Sequence, residues 1–218
     1  MRTFKPKRKV VSQEAKNAID AQLYFDSLSP WFLETDMEEI EAAYVFSEYG
    51  HQNQLRDDGT PYFEHPKAVS RIIFFDWDVK GDWHVIGGAL IHDVQEDQRR
   101  LLSERRLIIN FGKTFAMTVK LVSKDINSVK VFMVRLKSSG DWRAVLIKIA
   151  DRVHNMRTLD NCKLQKQKEQ LKETRLHFFE LCDILEKIIP KDYSHAVDRA
   201  RKELDRLCTI YEKKFAKQ

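Results

Sequence analysis

No stretch of this chain sustains the apolar–polar alternation of a half-buried strand, and that absence limits its fold more than any other feature. Apolar residues recur at helical intervals instead: Val145, Ile149, Val153 and Met156 follow one another at spacings of four, four and three. Only seven glycines and five prolines punctuate the 218 residues. The expected fold class is therefore all-α. A chain of this length can bury roughly 70% of the surface its unfolded form exposes, so it needs no disulfide staple. Its three cysteines, Cys162, Cys182 and Cys208, lie far apart without a CxxC pair and read as reduced thiols of a cytoplasmic protein.

Residues 1–12 read as a basic, flexible tail, residues 13–190 as the main domain, and residues 191–218 as a final helix that packs on the domain or on a partner. Asp36 is expected to cap a helix running to about Leu55, with the acids of DMEE in its first turn. The segment RDDGTPYFEHP (56–66) carries the turn residues Asp58, Gly59 and Pro61 and forms a loop. Pro66 then suits the first turn of a helix over about 66–76. Further helices are expected over about 82–94, from Ser103 to a stop at Phe111-Gly112, and over about 114–123, 128–138 and 141–159. Two long charged helices, about 164–189 and 193–216, close the chain on either side of Pro190, and a homo-oligomer built through them stays open.

The net charge of +5 is a property of the ends. Residues 1–9 carry +5 and residues 161–218 carry +4, which leaves residues 10–160 at −4. A nucleic-acid binder concentrates its basic stripe on the functional domain, so nucleic acid is not an expected partner. Neither is a membrane. No apolar stretch approaches the roughly 18 residues of a span, and MRTFKPKRKV lacks the apolar segment of a signal peptide.

Chemistry enters at ALIHDVQED (89–97), where an apolar helix ends in His92-Asp93 and adds Glu96 and Asp97 one turn on. Such groups crowded together repel and desolvate one another unless a cation sits among them. A second His–carboxylate cluster lies in KIADRVHNM (148–156), where Lys148, Asp151 and Asn155 form a polar stripe on a helix otherwise built for burial. His65, at the entry to the helix that begins with Pro66, is a third candidate. Imidazole mixed with carboxylate favours Mn²⁺, Fe²⁺ or Zn²⁺, and no thiolate set marks a structural zinc. His84, His154, His177 and His195 read as structural, and His51 sits beside the 56–66 loop. Trp77, Trp83, Trp142 and Phe74-Phe75 read as core.

The order His65, His92-Asp93, Asp151 resembles the HD superfamily of metal-dependent phosphohydrolases. GTPYFEHP (59–66), ALIHDVQED (89–97), the FG at 111–112 and KIADRVHNMRTL (148–159) resemble, more narrowly, the hydrolase domain of the RelA/SpoT homologues, over about residues 41–185. The resemblance implies an HD-domain helical bundle with additional C-terminal helices. It implies removal of the 3′-pyrophosphate from ppGpp and pppGpp by a stand-alone hydrolase domain, a small alarmone hydrolase, with no room for synthetase and regulatory domains. It further implies His65, His92, Asp93 and Asp151 as ligands of one Mn²⁺, and Glu96 and Asp97 as the pair that positions and deprotonates the attacking water. Arg56 matches the arginine that stacks on guanine, and Asn155 an asparagine near the nucleoside. Two positions depart from the pattern: Asp57 stands where the family carries Lys, and Phe178 where it carries a nucleotide-site tyrosine.

Remaining phosphate charge needs cations, and Lys124, Lys148, Arg157, Lys172 and Arg175 are the candidates. Asp57 keeps a second substrate class open: an adenine alarmone, NADPH or a nucleoside monophosphate. A third reading is a nucleotide-sequestering module or an antitoxin that neutralises an alarmone-synthetase toxin, with the C-terminal helices as its contact surface.

Overall fold

The computed structural model describes residues 13–94, 102–123 and 128–217. Helices α1 (Gln13–Leu28), α2 (Glu34–Gly50), α3 (Glu64–Arg71), α4 (Trp83–Ile91) and α5 (Glu104–Val122) form the first half. Helices α6 (Val129–Ser138), α7 (Trp142–Arg157), α8 (Leu164–Glu173), α9 (Phe179–Ile188) and α10 (Ser194–Phe215) form the second. Among the described residues the one pairing of extended backbone is an isolated bridge between Leu55 and Pro61, so the fold is all-α. The 1–12 tail expected from the sequence lies outside the described residues.

Helix α7 is the axis of the molecule. Its 145–149–153–156 stripe is buried, as expected, but so are Leu146, Ile147, Ala150 and the polar Lys148, Asp151 and Arg152. A helix buried on nearly every side sits in the middle of a core rather than on its surface. Helices α3, α4, α5, α6, α9 and α10 all pack around it. The last of them contributes Ala196, Val197, Ala200, Leu204 and Cys208 to that packing.

Several boundaries differ from the sequence reading. Leu33, in extended backbone, occupies the cap position of α2, and Asp36 lies in its first turn beside Glu34, where a carboxylate still favours the helix dipole. The helix stops at Gly50, not near Leu55, because the chain must turn into a small hairpin: Arg56 N–H donates to Thr60 O at 2.9 Å and Tyr62 N–H to Gln54 O at 2.9 Å. Helix α1 was not expected. It is fastened from a distance, by Tyr24 Oη against Ser70 Oγ at 2.8 Å and by Lys67 Nζ donating to Asp20 at 2.5 Å. Phe75, expected in the core, is 45% exposed beneath Arg71.

Other signals hold. Gly112, at φ 81°, breaks α5 where the stop was read, and Ser103 Oγ caps its start by accepting from Arg106 N–H at 3.4 Å. Asp141 caps α7 by accepting from Arg143 N–H at 2.9 Å and Ala144 N–H at 3.1 Å, while its other oxygen accepts from the buried Thr118 hydroxyl at 2.6 Å. Asp141→Ala should therefore lower stability by about 2 kcal/mol, the cost of a lost cap with a stranded buried hydroxyl added. Urea unfolding measures it; a shift under half that size would mean the α5–α7 junction is held by apolar packing alone.

Candidate metal centre and adjoining cleft

Three pieces of chain deliver the cluster. His65 enters on the first turn of α3, after a reverse turn closed by His65 N–H donating to Tyr62 O at 2.9 Å. His92 and Asp93 follow directly on α4, whose residues Val85–Ile91 are all buried. Asp151 comes from the middle of α7. Two glycines in α4 sit against neighbouring helices: a Cβ on Gly88 would lie 2.8 Å from the tip of the Ile147 side chain on α7, and one on Gly87 3.1 Å from the Phe115 ring on α5.

His65 Nε2 lies 3.4 Å from Asp93 Oδ2 and 3.2 Å from Asp151 Oδ1. His92 Nε2 lies 3.2 Å from Asp93 Oδ2 and 3.9 Å from Asp151 Oδ1. One ligand atom each from His65, His92 and Asp93 falls within 4.8 Å of the others. All four side chains are buried. The fit to a divalent cation can be judged from His92. Its Nδ1 sits 2.7 Å from Ala89 O, which makes that nitrogen the N–H donor. Its Nε2 is sealed from solvent without an aligned hydrogen bond, aimed at two carboxylates. A lone pair facing carboxylates is repulsive unless a proton or a metal stands between them, so the donor set fits a metal.

The electrostatics agree. Burial would raise the carboxyls of Asp93 and Asp151, but His92 beside the first and Lys148 beside the second hold both well below the usual carboxylate range. Burial works against charge on His92 too, yet Asp93 and Asp151 push it up to about 9. The four members thus demand positive charge at their centre.

Each member is also tethered from behind. His154 Nδ1 lies 2.7 Å from His65 Nδ1, and burial, with His65 alongside, brings its pKa down to about 3, so it is the neutral partner. Tyr62 Oη donates to Asp93 Oδ2 at 2.9 Å, and Asn155 Nδ2 donates to Asp151 Oδ1 at 2.5 Å. Lys148 Nζ pairs with Asp151 Oδ2 at 2.8 Å. Residues behind metal ligands fix ring and carboxylate orientation. From sequence alone His154 reads as structural and Tyr62 carries no signal of its own, although they stand in KIADRVHNM and GTPYFEHP; only the folded neighbours reveal their contacts.

A cleft of about 250 Å³ adjoins the cluster, with Arg56, Asp57, Tyr62, Asn155, Thr158 and Lys166 among its walls. Tyr62 and Asn155 belong to both places. Arg56 Nη2 donates to Thr158 Oγ1 at 3.1 Å and Asn155 Oδ1 at 3.4 Å, with its guanidinium 5.9 Å from the Tyr62 ring centroid. The expected phosphate cations fare differently. Arg157 pairs with Asp76, at the end of the turn after α3, and with Glu203 of α10, Arg175 pairs with Asp205 and Glu212 of α10, and neither lines the cleft. Lys172 is exposed on α8 and does not line the cleft, and Lys148 serves Asp151. Lys124, Glu96 and Asp97 lie outside the described residues. Phe178 is buried beneath Arg152, whose guanidinium carbon is 4.4 Å from its ring centroid. Lys166, which the sequence reading missed, is with Arg56 one of two cations lining the cleft among the described residues.

The chain belongs to the HD domain family, whose model matches residues 43–182. Within that family it is similar to the bifunctional (p)ppGpp synthase/hydrolase SpoT of Escherichia coli K12, at 33% identity over 154 residues, 65% of this chain and 21% of that protein. A GTP pyrophosphokinase of Myxococcus xanthus is 32% identical over 161 residues, 68% of this chain and 21% of that protein. This chain therefore spans about a fifth of the length of the curated relatives it matches. Its fold is that of a solved metazoan ortholog of SpoT, described as hydrolysing ppGpp, with a TM-score of 0.60 at 23% identity over 76% of this chain and 94% of that one. No described helix is long and apolar enough to cross a membrane.

Proposed function

We propose that this chain is a Mn²⁺-dependent guanosine-3′,5′-bis(diphosphate) 3′-pyrophosphohydrolase, converting ppGpp and pppGpp to GDP or GTP and pyrophosphate. One observation carries the reading: a buried His–His–Asp–Asp cluster shares Tyr62 and Asn155 with a cleft walled by Arg56. The names of the relatives point to the same chemistry. His65, His92, Asp93 and Asp151 hold one divalent ion, Mn²⁺ before Fe²⁺ or Zn²⁺. When bound, such an ion acidifies a water and draws charge from a phosphoryl oxygen.

The chain's own groups do the remainder. His154 and the Ala89 carbonyl fix the two imidazoles so that both Nε2 atoms face the carboxylates. Tyr62 and Asn155 keep those carboxylates from rotating. Arg56, held flat by Thr158 and Asn155, offers its planar face to a purine. Asn155 then stands where the nucleoside passes into the cluster. Glu96 and Asp97, three and four residues beyond Asp93, orient the attacking water and take its proton. The water oxygen bonds to the phosphorus next to the ribose, the bond from that phosphorus to the 3′ oxygen breaks, and the proton taken from the water returns to the 3′ oxygen, which leaves as a hydroxyl with pyrophosphate as the other product.

Asp57 favours a second reading, hydrolysis of another nucleotide such as an adenine alarmone, NADPH or a nucleoside monophosphate, because it sets a carboxylate in the cleft wall. A substrate panel tests both. With Mn²⁺, guanosine 3′-diphosphates should release pyrophosphate at least about tenfold faster than an adenine alarmone, NADPH or a nucleoside monophosphate is cleaved. EDTA should stop the reaction and added Mn²⁺ restore it. Tight binding of ppGpp without cleavage, with Mn²⁺ retained, would overturn the enzyme and leave a sequestering module.

A further inference from the structure

The cleft carries a charge arrangement that the catalytic reading does not use. Asp57, on the hairpin after α2, and Lys166, on α8, face each other across the mouth: Lys166 Nζ donates to Asp57 Oδ2 at 2.7 Å. The Cys162 thiol donates to the same oxygen at 3.2 Å, and Asn161 Nδ2 ties the next residue, Asp58, at 3.3 Å. Both partners of the ion pair are half exposed, 53% each. Pairs this exposed contribute about 0–1 kcal/mol and open at little cost. The hydrogen bond from Lys166 holds the Asp57 carboxyl below its usual range, and the same bond holds the Lys166 ammonium above its own. The four charged groups of the wall, Arg56, Lys166, Asp57 and Asp58, sum to zero.

A nucleoside stacked on Arg56, with its 3′ group toward His65 and Asp151, has its 5′ substituent at the other end of the ribose, and the charged groups of the cleft wall left to meet it are Asp58 and the Asp57–Lys166 rim. We propose that Asp57 and Lys166 are specificity-determining residues that set how many 5′ phosphates the substrate carries: Lys166 swings from Asp57 to meet a phosphate, and Asp57 remains as a repelling charge that penalises each further one. The inference rests on the hydrolase reading above and names the part of the substrate that the rim reads. With Asp57 facing it, each added 5′ phosphate meets a like charge; a wall freed of Asp57 carries a net positive charge and favours the highest phosphate count.

The test is kinetics with guanosine 3′-diphosphates bearing one, two or three 5′ phosphates, on the full chain with Mn²⁺ and on Asp57→Asn, Lys166→Gln and the double variant. Asp57→Asn should lower KM by about three- to tenfold, most for three phosphates and least for one, with kcat unchanged within about twofold. Lys166→Gln should raise KM with the same gradient in the opposite sense, and the double variant should lie between. KM shifts equal across the three substrates, or a rise in KM on Asp57→Asn, would overturn the rim's role while leaving the hydrolase reading intact. If the unaltered protein cleaves none of the three, the hydrolase reading falls by itself. Equilibrium binding of the same nucleotides to the same variants then decides the rim, by whether Kd carries the phosphate-count gradient.

Discussion

Asp93→Asn removes metal-dependent hydrolysis, with turnover expected to fall by about 10³-fold or more, the loss of several kcal/mol of charge stabilisation. The substitution is chosen because it isolates charge from shape. An amide oxygen still accepts from Tyr62 Oη, which lies 2.9 Å from Asp93 Oδ2, and the side chain keeps its volume between His65 and His92. What disappears is one of two negative charges that the imidazoles and the ion share. Metal content after dialysis should fall in step with turnover, while circular dichroism shows the helical fold retained. A variant that loses activity but keeps full metal occupancy would show that Asp93 acts on the substrate and not on the ion.

Lys148→Met carries the largest expected effect on stability, and its size should depend on the metal. Lys148 is 3% exposed, its Nζ is 2.8 Å from Asp151 Oδ2, and it rests 5.2 Å from the Phe132 ring centroid. Methionine keeps the apolar stem and deletes the charge. Removing one partner of a buried pair costs about 3–5 kcal/mol, because the other charge is left uncompensated. In EDTA that full cost should appear in urea unfolding. With Mn²⁺ bound, the ion supplies the missing positive charge and the cost should fall to about half, so Mn²⁺ stabilises the variant more than the parent. Equal losses in both conditions would mean that Lys148 and the ion do not share Asp151.

The sequence exposes the parts of this molecule that are local and hides those that are long-range. The α7 stripe, the Gly112 stop and the turn at Asp58-Gly59 are written in neighbouring residues, and the structure has them. The four clustered side chains were named from their order along the chain and from a family resemblance, and the folded helices bring them within a few ångströms. Helix α1 escaped notice because its attachments, Tyr24 to Ser70 and Asp20 to Lys67, each span more than forty residues. Lys166 escaped for the same reason, its partner Asp57 lying 109 residues away. The partners of Arg157 and Arg175 are equally hidden: helical rotation turns Arg157 about 120° from Asp151 toward Asp76 and Glu203, and Arg175 meets Asp205 and Glu212 of α10.

The glycine at position 88 has no functional group, yet it sits one turn before His92 on α4 and against Ile147, one turn before Asp151 on α7. A methyl there would press on the tip of the Ile147 side chain, which can turn aside, so the pressure would reach the ligands as repacking and not as a fixed wedge. Ion affinity in this fold is therefore open to adjustment by residues that coordinate nothing.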